Sequence, residues 1–153
     1  TNKDSMMVLV GIAYRGSDAY LKNNQRSNVS SLILTGGWIE SMHFSVTAYK
    51  TKPTEGVRFR IAEQKQALGS LIKILGSSTE PEVVALTTQL TDLSKIYDGI
   101  QFKYNFIEPV TDTAKKLTYI NSTTEVIVSD EQIAQITEKI KEIRNKIVNT
   151  SQS

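Results

Sequence analysis

Cysteine is absent from the 153 residues. That removes disulfides, zinc–cysteine sites, iron–sulfur clusters, thiol nucleophiles and covalently attached c-type haem together. It leaves the compartment open, since a chain without thiols works in any redox environment. Histidine occurs once, at His43, so a serine nucleophile has only one imidazole base to draw on. Long hydrophobic runs are also missing. The longest, Met6 to Val10, is five residues, far short of the roughly 20 needed to span a bilayer as a helix. Nor does one sign of charge dominate. Eighteen basic residues stand against 16 acidic ones, for a net +2, with both signs interspersed. Such a surface produces no field directed at nucleic acid or anionic lipid. No glycine-rich phosphate loop, Gly-x-Ser-x-Gly elbow or calcium-binding loop occurs.

What the chain does have is helical spacing. Ile133, Ile136, Ile140, Ile143 and Ile147 recur at alternating intervals of three and four. So do Val83, Leu86, Leu90, Leu93, Tyr97 and Ile100. With 3.6 residues per turn, each set forms a stripe that must be buried against other helices. The expected fold is all-α: an up-and-down bundle of about five helices, with a small β-hairpin before the last. It would form one domain over residues 1–149, with a disordered tail from Thr150 to Ser153. A chain of this length buries a core without staples.

The expected elements follow in order. A first helix covers about Lys3 to Lys22; being apolar nearly all round, it is either central or lacks its natural partner. A second spans Val29 to Lys50 and stops before Pro53, and a third runs from Thr54 to Leu75 and ends at Gly76. Thr79-Glu80-Pro81-Glu82 reads as a capping box that launches a fourth helix, which reaches Asn105 or Phe106. Leu117 to Ile120 and Glu125 to Val128 then read as a hairpin around Asn121-Ser122-Thr123-Thr124, the alternative being a helical turn from Asp112 to Tyr119 plus a loop. Ser129-Asp130-Glu131-Gln132 is a second capping box, opening the isoleucine helix.

Six of the eight glycines, Gly11, Gly16, Gly36, Gly37, Gly69 and Gly99, fall inside these expected helices. Each costs about 1 kcal/mol there relative to alanine. Close helix crossings would compensate; so would a ligand pocket roofed by bare backbone. Gly36, Gly37, Trp38, Glu40 and His43 form the candidate ligand-binding region. Glu40 and His43 stand three apart, as in one half of a di-iron bundle motif, but the second half needs another histidine. Haem held by His43 with Met6, Met7 or Met42 is conceivable in a bundle, although methionines on apolar faces are ordinarily core filler. No catalytic residue, metal ligand set or cofactor is singled out, and the chain reads as a non-enzyme. Asn-x-Ser/Thr triplets at Asn28, Asn121 and Asn149 matter only if a eukaryotic secretory pathway handles the chain.

The stretches Leu32-Ile33-Leu34-Thr35-Gly36-Gly37-Trp38-Ile39-Glu40-Ser41 and Leu75-Gly76-Ser77-Ser78-Thr79-Glu80-Pro81-Glu82-Val83-Val84 resemble uncharacterised bacterial exported or lipoprotein-type helical-bundle proteins. The resemblance covers roughly residues 25–147. It implies a bundle in the periplasm or associated with the outer membrane, otherwise a cytoplasmic one, and carries over no functional residue. A lipid anchor would require a cysteine on a removed segment. Thr1 is not an initiator methionine, so either a leader was removed or the chain is a piece of a longer protein. Serine and threonine number 31, a polar, weakly charged surface in keeping with export. The expected function is a partner-binding or scaffolding module of the cell envelope; the alternative is a small-ligand or metal-binding bundle built around Gly36-Gly37-Trp38.

Overall fold

The computed structural model describes residues 2–24 and 26–150. Among them, the element order is α1 (Lys3–Asn23), α2 (Ser27–Thr51), α3 (Glu55–Ala62), α4 (Lys65–Leu75), α5 (Pro81–Asp98), β1 (Gln101–Asn105), β2 (Val110–Asp112), β3 (Leu117–Tyr119), β4 (Thr123–Ile127) and α6 (Asp130–Thr150). The protein is mainly helical, with strands confined to one excursion before the last helix.

Both stripes enter the core, except that Ile147 is exposed and Leu86 only partly buried. Ile133, Ile136, Ile140 and Ile143 of α6 are buried, as are Val83, Leu90, Leu93 and Tyr97 of α5 and the adjoining Ile100. They meet Ile39, Met42 and Val46 of α2, Ile61 and Ala62 of α3, and Leu68 and Leu75 of α4. The α2 positions repeat at three and four, with the wholly buried Thr35 one turn earlier. Its hydroxyl donates to the Ser31 carbonyl, so the buried Thr35 hydroxyl is not stranded. The second capping box forms reciprocally: the Gln132 amide donates to Ser129 Oγ at 3.1 Å, and the Ser129 amide to Gln132 Oε1 at 2.9 Å.

Several expectations are corrected. The third helix is two, α3 and α4, interrupted at Glu63-Gln64. Gln64 stands where the apolar stripe skips a residue, and its side-chain oxygen accepts the Trp38 indole N–H at 3.0 Å. The fourth helix ends at Asp98 rather than Asn105 or Phe106, because residues 101–105 pair with β4. Gly99 is therefore a helix terminus, not an interior position. Thr79 does not cap α5: Glu80 occupies the N-cap, and the Glu80 amide donates to Ser78 Oγ. Pro81 takes the first turn as expected.

The expected hairpin also changes partners. Its two strands, β3 and β4, exist but do not pair with each other. β4 pairs antiparallel with β1, Lys103 opposite Glu125, while β3 pairs with β2, Thr111 opposite Thr118. The Asp112–Tyr119 helical turn is likewise overturned; its place is taken by a tight connection in which Lys116 adopts a φ of 53°. The two short ladders form one long ribbon, bridged midway where the Ile107 amide donates to Ser122 Oγ and that hydroxyl donates to the Ile107 carbonyl. α6 runs through Thr150, and the rest of the expected tail, residues 151–153, lies outside the described residues.

The first helix is not central. Every residue from Asn2 to Val10 is exposed, and α1 packs chiefly on α2 through its second half. There the Ser30 hydroxyl donates to Asp18 at 2.5 Å, and Tyr14 and Leu21 border a groove facing Ile33, Leu34 and Ile74.

Candidate functional site

The five candidate residues share α2 but do not converge. Helical geometry distributes consecutive positions around the axis at about 100° each, so Gly36, Gly37, Trp38, Glu40 and His43 address different neighbours. Gly36 borders an open groove of about 640 Å³, whose floor includes Leu32, Ile39, Val83, Leu86 and Ile147 and whose edge carries Glu80, Glu82, Gln89 and Lys146. The other four candidates do not border it. Gly37 is exposed and its carbonyl accepts the Ser41 hydroxyl. Trp38 is half-buried on the opposite side, held by Gln64.

Glu40 is an ion-pair partner. Arg144 of α6 reaches it with two hydrogen bonds, Nε to Oε2 at 2.7 Å and Nη2 to Oε1 at 3.1 Å. The hydrogen bond from the guanidinium holds the Glu40 carboxyl below its usual range; partial burial opposes this, while the charges of Arg144 and His43 assist. A bidentate pair of this kind fixes the register of α2 against α6. His43 lies one turn further on. Its Nδ1 is buried without a hydrogen-bond partner among the described residues, while the residue as a whole is half-buried. No group of three or more histidine, aspartate or glutamate side chains that could hold a metal ion occurs among the described residues.

The glycine expectation is corrected too. A Cβ built at Gly16, Gly36, Gly37 or Gly69 would meet nothing within 4 Å. None of these four marks a close helix crossing. Gly11 is different only in that Arg15 folds back over it, Nη1 lying 3.5 Å from the Cβ position. Of the methionines considered with His43 for haem, Met42 packs within the core at 3% exposure, whereas Met6 and Met7 are exposed on α1.

Two apolar surfaces stand open among the described residues, and sequence reasoning missed the second of them. On α1, Met6, Met7, Val8, Leu9, Val10 and Ile12 are each more than half exposed. Along the ribbon, Tyr104, Phe106, Val110, Leu117 and Ile120 are similarly open. The signal for the first was legible as apolarity on every side of the helix. The second was hidden because residues 101–106 continue the helical spacing of α5. Set against protein families, curated proteins and solved structures, the chain matches none of them.

Proposed function

We propose that the protein is a non-enzymatic partner-binding or scaffolding module of an exported bacterial protein, and that its helices form an up-and-down bundle presenting α1 and the ribbon to other chains. The observation that carries this reading is the exposed apolar run from Met6 to Ile12. Monomeric proteins rarely leave contiguous apolar patches beyond a few hundred Å² uncovered. The ribbon adds weight, because an isolated two-stranded hairpin is marginal in water at best. Its edges carry Lys103 and Glu125, charges of the kind that deter indiscriminate strand pairing, which leaves its side-chain faces as the contact surface. The resemblance to exported helical-bundle proteins is the ground for the compartment; no described helix is long and apolar enough to cross a membrane.

The test is the size of the native-source complex. Protein carrying Met7→Asp and Leu9→Asp is expected to leave an assembly that the unsubstituted protein joins, while keeping its helical circular dichroism. If the unsubstituted protein runs as a bare monomer from its source, the reading fails.

The open groove beside Gly36 favours a second reading, a small-ligand site. Its apolar floor and charged edge suit an aliphatic molecule bearing a polar end. Elemental analysis and an absorption spectrum of native-source protein test the metal and chromophore versions; mass spectrometry of the undenatured protein tests the others.

A further inference from the structure

We propose that the groove beside Gly36 takes a cationic amphiphile: a primary ammonium held at the start of α5, its aliphatic chain lying along the floor toward Gly36. This deepens the small-ligand reading and rests on it.

The groove has two unlike ends. Asn28, in the first turn of α2, donates its side-chain amide to Glu80 at the N-cap of α5, at 2.8 Å, so the two helices begin together. They continue side by side, since Leu32 and Gly36 of α2 border the same groove as Glu82, Leu86 and Gln89 of α5. The two carboxylates therefore stand at one end. Gly36 lies about 12 Å further along α2 at 1.5 Å per residue. Between them the floor is apolar: Ile39 and Val83 are 2% and 3% exposed, with Leu32 and Leu86 half-buried beside them. An aliphatic chain of about eight to ten carbons matches that length, and about 640 Å³ holds it.

The charge left open at the polar end is negative. Glu82 has no hydrogen-bond or ion-pair partner among the described residues, and Asn28 engages only the Oε1 of Glu80. Lys146, the cation that borders the groove, is already 2.8 Å from Glu142. An ammonium brings three donors and a full charge to such an end, where a carboxylate would be repelled.

Gly36 argues independently that the hollow is kept. A glycine within a helix weakens it, and a close helix crossing is the usual return. Here a Cβ would meet nothing within 4 Å, so no crossing is gained. What a side chain at this position would remove is the space above Leu32 and Ile39.

Isothermal titration calorimetry of the purified protein with decylammonium, decanoate and decanol at low salt tests the proposal. Decylammonium should bind about tenfold more tightly than either of the others, and added salt should narrow the gap. Glu82→Gln should weaken decylammonium about threefold to tenfold and leave decanol unchanged. Gly36→Leu should abolish binding while the melting temperature holds or rises, leucine being the better helix former. If that variant melts early, Gly36→Ala takes its place and should weaken binding without loss of stability. Decanoate binding as tightly as decylammonium, or decylammonium binding indifferent to the Glu82 and Gly36 changes, would overturn the proposal. Decanoate binding that Gly36→Leu abolishes would end the cation and leave the small-ligand reading standing. So would a different small molecule carried by native-source protein that binds none of the probes. Protein that binds no probe and carries no small molecule from its source ends both.

Discussion

Tyr97, wholly buried on α5, donates its hydroxyl proton to the backbone carbonyl of Ile61 at 3.0 Å. Ile61 lies in the last turn of α3, where the chain breaks before α4. The same carbonyl also accepts the Gln64 amide at 3.4 Å, and the Tyr97 bond ties this break to the centre of the core. Burial pushes the phenol well above its usual range, in keeping with its role as a donor.

Tyr97→Phe should therefore destabilise the protein by about 0.5–1.5 kcal/mol, the net worth of one hydrogen bond, since the Ile61 carbonyl keeps the Gln64 amide while the ring stays in place. Urea denaturation measures it. A change below a few tenths of a kcal/mol would mean that the carbonyl finds water or another donor.

Ile140 is wholly buried in the middle of α6. Ile140→Ala should cost about 2–5 kcal/mol through lost burial and an unfilled cavity. Ile140→Asp should cost more, by placing an unpaired charge there. Near-neutral behaviour in thermal melts of either variant would remove α6 from the core.

The Glu40–Arg144 pair gives stability a pH dependence whose sign is set. The carboxyl is held below its unfolded value by the guanidinium. Its contribution is fully present above the unfolded pKa and is lost as pH falls through the lower, folded one. Both side chains are partly exposed, so the effect should shrink with added salt. Glu40→Gln should flatten this part of the acid limb of the stability curve; an unchanged limb would show that the pair contributes nothing.

At Gly37 the tertiary structure reverses the effect expected from a close helix crossing. With nothing within 4 Å of its Cβ position, Gly37→Ala should stabilise the protein by about 0.5–1 kcal/mol through helix propensity alone. Trp38 fluorescence should stay the same. Destabilisation on thermal unfolding would restore the close-crossing reading.

Ser129→Ala removes the side-chain acceptor for the Gln132 amide and should cost about 0.5–2 kcal/mol. Hydrogen exchange at the first turn of α6 should accelerate. Unaltered protection there would leave the reciprocal cap without consequence.

The sequence by itself determined what depends on nearest neighbours along the helix. The stripes of α5 and α6, the Ser129–Gln132 cap and the proline start of α5 are all local patterns of spacing and hydrogen bonding, and all were legible. Tertiary structure alone decided what depends on who stands opposite. Residues 101–105 keep a helical spacing yet become β1, because pairing with β4 satisfies their backbone groups across 18 to 26 positions of chain. The helix breaks at Glu63-Gln64, and there the Gln64 side chain accepts the indole N–H of Trp38, 26 positions away. Glu40 became an ion-pair partner because α6 brought Arg144 beside it, 104 positions away. Gly16, Gly36, Gly37 and Gly69 fell open, and α1 proved uncovered over its first half rather than central, for the same reason: periodicity states that a face is apolar, and only the packed chain states whether anything covers it.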